Sequence, residues 1–332
     1  MQRTLHLELI LTSVNYVIMK KGFKIGSIVL LVFLLIFALG PRPKKFELNN
    51  DLPTLEQAEP SIIKPENENY FWFADSLKSK TQYVILYLHG FSASPMEGRP
   101  VMQDIAKHYG CNLYAPRLQA HGLISKEPML EFDNSSYWES VKAAYVKAKT
   151  LGDSVIVMGT STGCTAALLL ASRFSEIHSL VLYSPNIDLY DSRSFLLTMP
   201  WGLQLARTVK KGNYHAFTGP EGTEKYWTTK YRLEALVELK NLLNKTMTTA
   251  TFSKINQPLL MLYYFKDDKN QDDVVSVPAL LKMFDEVSTS ANQKKKVAMA
   301  NVGAHAMASD IWSKDIKGVE FETIQFLDRY LK

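Results

Sequence analysis

One hydroxyl, a group of carboxylates and a late imidazole carry the chemistry this chain can do. Gly159-Thr160-Ser161-Thr162-Gly163 follows the apolar run Val155–Met158 and precedes the helix-forming run Cys164–Ala171. Strand, sharp turn and helix in that order are the setting of a nucleophile elbow. Glycines at its flanks leave room where a Cβ would clash. The turn lifts Ser161 above a sheet edge, and the next helix aims its unpaired N–H groups at the place where an oxyanion would form. Such a pattern also arises as a tight turn with an incidental serine. The strand before it and the small-residue helix after it favour the nucleophile.

A serine nucleophile needs a base within hydrogen-bond reach and a third group to orient the base. After an elbow the chain order is serine, then acid, then histidine. Among the chain's seven histidines, His305 lies well downstream of Ser161 in Asn301-Val302-Gly303-Ala304-His305, just past the last expected strand. His178 sits between the elbow helix and the next strand, and His215 falls inside a long insertion. The acid should follow the strand ending at Phe265, where Asp267, Asp268, Asp272 and Asp273 are all candidates within a charged turn.

The elements that must position these groups read as alternating strands and helices. Apolar runs at Tyr70–Phe73, Tyr83–Leu88, Asn112–Ala115, Val155–Met158, Leu180–Ser184, Leu259–Phe265 and Lys296–Met299 predict strands. Several are apolar on both faces, as in a central parallel sheet. Helical spacing predicts helices over Arg99–Tyr109, from a Ser136–Glu139 capping box to Gly152, over Leu233–Leu243 and over Ile316–Leu327. The fold class expected is α/β, with a mostly parallel central sheet flanked by helices. About residues 185–257 lack a strong strand, too long a gap for an ordinary connection. They predict a mainly helical cap leaving the sheet where ligands bind in open α/β folds. Its Phe195, Leu196, Leu197, Met199 and Trp201 read either as an acyl pocket or as cap core.

The chain has 332 residues, 38 basic against 33 acidic, so its net charge of +5 is small. The densest basic run, Lys294–Lys296, reads as a solvated loop, and nucleic acid is not an expected partner. Cys111 and Cys164 fit neither a disulfide framework nor a zinc pattern and read as small buried groups. At the other end, Ile25–Ala38 is almost unbroken apolar sequence between Lys20, Lys21, Lys24 and Arg42, Lys44, Lys45. With its flanks (residues 25–40) it reads as an uncleaved transmembrane signal anchor, since Pro41 would block cleavage after Gly40. Residues 1–24 form an N-terminal extension, with Met19 a natural start, and the proline-bearing residues 41–68 a linker. The folded body spans 69–332. A short N-terminal tail favours a single-pass protein with its body on the non-cytoplasmic side.

Four ordered motifs resemble the serine α/β-hydrolase superfamily, closest to its carboxylesterase and monoacylglycerol-lipase-like members. His89-Gly90-Phe91 resembles the oxyanion loop after an early strand, and Gly159–Gly163 the elbow. Arg117-Leu118-Gln119-Ala120-His121-Gly122 resembles Arg-Leu-x-Gly-His-Gly, with Ala120 where glycine is usual. Asp272-Asp273-Val274-Val275 resembles the acid loop, which makes Asp272 the first choice for the acid and Asp268 the second. The resemblance covers residues 70–332. It implies acyl transfer to Ser161 with His305 as base, Asp272 as its partner, and the backbone N–H groups of Phe91 and Thr162 as oxyanion hole. It calls for no metal or organic cofactor. The expected substrate is an apolar ester or a monoacyl lipid. The rival readings are a thioesterase or amidase on the same triad, or a non-catalytic binding module. Oligomeric state is not legible.

Overall fold

The computed structural model describes residues 27, 30–53 and 63–331. Seven strands make the main sheet: β1 (Tyr70–Trp72), β2 (Thr81–Leu88), β3 (Asn112–Ala115), β4 (Gly152–Thr160), β5 (Ser179–Tyr183), β6 (Leu259–Tyr263) and β7 (Lys294–Ala298). Their order is β1-β3-β2-β4-β5-β6-β7, with β1 antiparallel to β3 and every other pair parallel. The central runs are buried on both faces, so each face must be covered by helices. One face packs under α2 (Asn134–Lys149) and α3 (Thr162–Ala171), the other under α1 (Val101–Tyr109) and α6 (Ile316–Leu327). Parallel pairing puts the C-terminal ends of the strands on one edge. Leu88 lies beside Gly159, Thr160 beside Tyr183, Tyr183 beside Leu262, and Tyr263 beside Ala298. The loops carrying the oxyanion motif, Ser161, the acids and His305 therefore all leave one rim.

Two local expectations change. The helix expected to begin at a Ser136–Glu139 capping box begins one turn earlier, because Asp133 accepts from the Ser135 and Ser136 amides at 3.0 Å each. Lys294–Lys296 is not a loop but the start of β7. An edge strand can carry lysines, since its side chains reach past the sheet. Lys295 pairs with Glu322 at 2.6 Å and Lys296 with Asp285 at 3.1 Å. Cys111 and Cys164 are both buried and unbonded to each other.

Between β5 and β6 the chain forms a 3-10 helix (Ser192–Thr198), α4 (Gly202–Lys210), a hairpin of Tyr214–Ala216 with Lys230–Arg232, and α5 (Leu233–Thr246). This insertion sits over the oxyanion loop: the Thr228 amide donates to the Ser92 carbonyl at 2.7 Å, and the Tyr231 ring meets Phe91 edge-on at 5.5 Å. Phe195, Met199 and Trp201 instead lie exposed on its outer side, where Trp201 Nε1 donates to the Ile36 carbonyl at 3.1 Å.

At the N-terminus, residues 30–38 are helical, with Leu30–Phe37 exposed. Among the described residues no helix is long and apolar enough to cross a membrane. The expected extension, the first part of the expected anchor and residues 54–62 of the expected linker lie outside the described residues. The described part of that linker runs along the body. Phe46 is buried, the Asn49 carbonyl accepts from Trp138 Nε1 at 2.6 Å, and Asn50 accepts from Arg173 at 2.8 Å. Lys142 is wholly buried and needs acceptors. Asn49, the Asp51 carbonyl and Glu139 supply them.

Candidate active site

The elbow is a crossing of backbones as much as a turn. A Cβ on Gly163 would run into the carbonyl oxygen of Leu88 on β2, and one on Gly159 would come within 2.8 Å of the Gly163 carbonyl carbon. Helix α3 can therefore lie against the strand only with glycine there. Gly163→Ala is expected to cost about 3 kcal/mol of stability or more, the upper range for forced overpacking. A thermal melt would read this as a fall in Tm, and an unchanged Tm would mean that β2 can move aside. Cys164 adds to the closure, its Sγ–H donating to the Gly159 carbonyl at 3.0 Å.

Ser161 occupies φ 56°, ψ −118°, at the N-cap of α3 but with no capping hydrogen bond from its side chain. Its own amide is held by the Tyr183 carbonyl at 2.9 Å. A non-glycine residue in that backbone region is strained, and such strain is commonly found at functional sites. The amides of Phe91 and Thr162 donate to no protein acceptor among the described residues.

His305 follows β7, and its Nδ1 lies 2.7 Å from Asp272 Oδ2. Asp272 is fully buried in the loop after β6, where its Oδ1 accepts from the Val274 and Val275 amides at 3.0 Å each. Burial alone would raise its pKa, but His305 and those amides hold it below the ordinary carboxylate value. Burial would likewise lower His305, yet the charge and hydrogen bond of Asp272 raise it above the ordinary histidine value, helped by Glu97 and Asp273. Asp267, Asp268 and Asp273 are exposed, and Asp267 is taken up in its own turn by Asn270. The other imidazole nitrogen, His305 Nε2, is buried and has no hydrogen-bond partner among the described residues. The Ser161 hydroxyl thus does not bond to it in this structure. Hydroxyl–imidazole contacts in substrate-free sites are often long and tighten with substrate.

His178 directly precedes β5, at the opposite end of the sheet, and His215 packs on Tyr231 in the hairpin of the insertion. His89 and His121 tie the two motif loops together. The Leu118 amide donates to His89 Nε2 at 3.1 Å, so His89 Nδ1 carries the proton and donates to the Gly90 carbonyl at 2.9 Å. Burial holds His89 well below its ordinary pKa and His121 at about 4. Both are neutral struts. Ala120, where glycine is usual, sits at φ 62°, the left-handed region that favours glycine.

One site residue was not found by sequence reasoning. Glu97, in the 3-10 turn Pro95–Gly98, is 3% exposed, and its Oε2 accepts the Gly90 amide at 2.5 Å. The available signal was a lone acid inside a small-residue loop seven positions after Gly90. An acid in a loop is read as solvated unless its burial is known.

The chain matches no model of a known protein family. A thermostable monoacylglycerol lipase from Bacillus sp. (strain H-257) is 30% identical over 105 residues, 32% of this chain and 41% of the relative's length. Among solved structures, that of a metagenome-derived lipolytic enzyme superposes with a TM-score of 0.65 at 15% identity, over 80% of this chain and 99% of the other. A monoacylglycerol lipase from Paleococcus ferrophilus gives 0.56 at 13% identity, over 79% and 99%. Est1E from Butyrivibrio proteoclasticus, solved with ferulic acid bound, gives 0.54 at 14% identity, over 79% and 94%. By sheet order, loop placement and these likenesses, the chain is an α/β-hydrolase-fold protein, similar in structure to lipases and esterases.

Proposed function

We propose that the chain is a serine hydrolase that cleaves carboxylic esters of an apolar, monoacyl lipid-like kind through an acyl-enzyme. The observation that carries this reading is the buried Asp272–His305 pair at 2.7 Å, with the second imidazole nitrogen unclaimed among the described residues, on the rim that carries Ser161. Ser161 Oγ attacks the ester carbonyl carbon, and its proton passes to His305 Nε2. The carbonyl π electrons collect on the oxygen, which takes hydrogen bonds from the Phe91 and Thr162 amides. The intermediate collapses, the C–O bond to the alcohol breaks, and the leaving oxygen takes the proton from His305. Water then repeats the cycle on the acyl-enzyme and frees the acid. Asp272 keeps the imidazole in the tautomer with Nδ1 protonated and stabilises the imidazolium.

The monoacylglycerol lipase likenesses support a monoacyl substrate, and the exposed apolar helix at residues 30–38 supports attachment to a membrane. We place the anchor at residues 25–40 and the body on the non-cytoplasmic side. One experiment addresses both parts. Cells making the full chain are treated with a fluorophosphonate probe, and their membranes are washed with alkaline carbonate. The expected result is a labelled band, modified on Ser161, that stays with the membranes, and competition by monoacyl esters ahead of thioesters and amides. A protein that is never labelled removes the hydrolase reading. Label that washes free removes the anchor.

A further inference from the structure

Glu97 takes no part in the triad or the oxyanion contacts, yet it is buried beside both. An ideal Cβ on Gly90 would lie 3.0 Å from Glu97 Oε1 and 3.2 Å from Ser161 Cβ, so the carboxylate and the serine flank the same Cα. The Gly90 amide donates to Glu97 Oε2 at 2.5 Å. The next peptide plane, which carries the Phe91 amide, is fixed through the Gly90 carbonyl by His89 Nδ1 at 2.9 Å and by the Ala93 amide at 3.3 Å. Both peptide planes at Gly90 are therefore tethered, one of them, among the described residues, by Glu97 alone. The Trp227 and Tyr87 side chains favour the charged form of the same carboxylate, and the Tyr87 hydroxyl itself bonds to Thr160 Oγ1 at 2.8 Å. Ala93 of the oxyanion loop, Trp227 of the cap and Ala306 beside the histidine pack in one small apolar cluster.

We propose that Glu97 is a positioning residue for acyl transfer, holding the oxyanion loop by the Gly90 amide and setting a second negative charge near the His305 imidazolium. The inference rests on the hydrolase reading above. A buried carboxylate is costly and persists where hydrogen bonds and an opposite charge offset its desolvation. Here the Gly90 amide supplies the first, and His305 supplies the second each time it takes the serine proton. The titratable groups around the pair are Asp272 and Asp273 on the His305 side, and Tyr87, Tyr137 and Cys164 on the Glu97 side. Burial raises Glu97 to about 7, against the opposing pull of the Gly90 amide and His305. Its charge is thus gained as pH rises through neutrality, the range in which His305 must be neutral to act as base.

Glu97→Gln keeps the shape and removes the charge. With p-nitrophenyl butyrate and the full chain, kcat is expected to fall about ten-fold, because the imidazolium that forms on His305 loses a nearby opposite charge while the glutamine carbonyl still accepts from Gly90. KM should stay within about two-fold, because the ground-state ester makes little use of the oxyanion hole. The acid limb of kcat/KM should move to lower pH, because losing a nearby anion makes His305 easier to deprotonate. Glu97→Asp keeps the charge but shortens the reach to Gly90. Its acid limb should stay at the wild-type pH while kcat falls. A Gln variant with the wild-type limb overturns the proposal, whatever its kcat, because a merely structural carboxylate would behave that way. Should the Gln variant not fold, an Asp variant with wild-type kcat overturns it. If wild type neither labels with fluorophosphonate nor turns over ester, the hydrolase reading falls and this inference with it. If wild type labels on Ser161 and turns over ester, and the Glu97 variants behave as wild type, this inference falls alone.

Discussion

Replacing Ser161 by alanine is expected to lower kcat for p-nitrophenyl ester hydrolysis by about 10⁴-fold or more, the scale seen when a triad serine is removed. The same change should leave thermal stability close to wild type. Ser161 caps helix α3 in position only, with no side-chain hydrogen bond to lose, and its amide bond to Tyr183 survives truncation. Ser161→Gly separates the two roles further. At φ 56°, ψ −118° a serine is strained, and glycine adopts that backbone freely. The glycine variant should be as inactive as the alanine variant and more stable by about 1 kcal/mol, the lower end of such strain. Melting curves and initial rates on the three proteins check both points. Turnover in Ser161→Ala within ten-fold of wild type would move the nucleophile elsewhere.

The second large effect belongs to Asp272. Asp272→Asn should reduce kcat by about 10³–10⁴-fold, because an amide presents its NH₂ or its carbonyl to His305 and no longer stabilises imidazolium. Asp268→Asn should leave the rate near wild type, since Asp268 is exposed and His305 bonds to Asp272. The pH profile carries the sign. His305 must be neutral to accept the serine proton, and its pKa is raised by Asp272 against the effect of burial. Activity should therefore be lost as pH falls through a value above the ordinary histidine pKa of about 6.5. In Asp272→Asn burial acts unopposed by that carboxylate, and the remaining acid limb should shift downward. A limb at or above the wild-type position in the asparagine variant would mean that another acid sets the His305 pKa.

The inner strands of the sheet were legible because they are short apolar runs buried on both faces, and such runs carry their own signal. The elbow was legible because glycine is forced twice within five residues by backbone contact. The acid was not settled by local pattern. Four aspartates lie within seven positions of one another in a charged turn; the resemblance of Asp272-Asp273-Val274-Val275 to an acid loop ranked Asp272 ahead of Asp268, and the fold-back at Tyr264, whose carbonyl receives the Asp272 amide at 3.1 Å, buries Asp272. The helix start moved because Asp133, three residues ahead of Ser136, already accepts from the Ser135 and Ser136 amides, which puts Ser136 inside the first turn. The lysine run was misread because an edge strand with long polar side chains has the composition of a loop.

By itself the sequence determined the order of strands and helices, the turn that lifts Ser161, and the histidine that must follow the last strand. These depend on contacts between near neighbours or on periodic burial, and near neighbours are written side by side. Only the tertiary structure decided which aspartate meets His305, that the polar segment 41–53 lies along the body, and that Glu97 is buried beside the serine. Each of those is a long-range pairing of polar groups, fixed by which partner can compensate its desolvation.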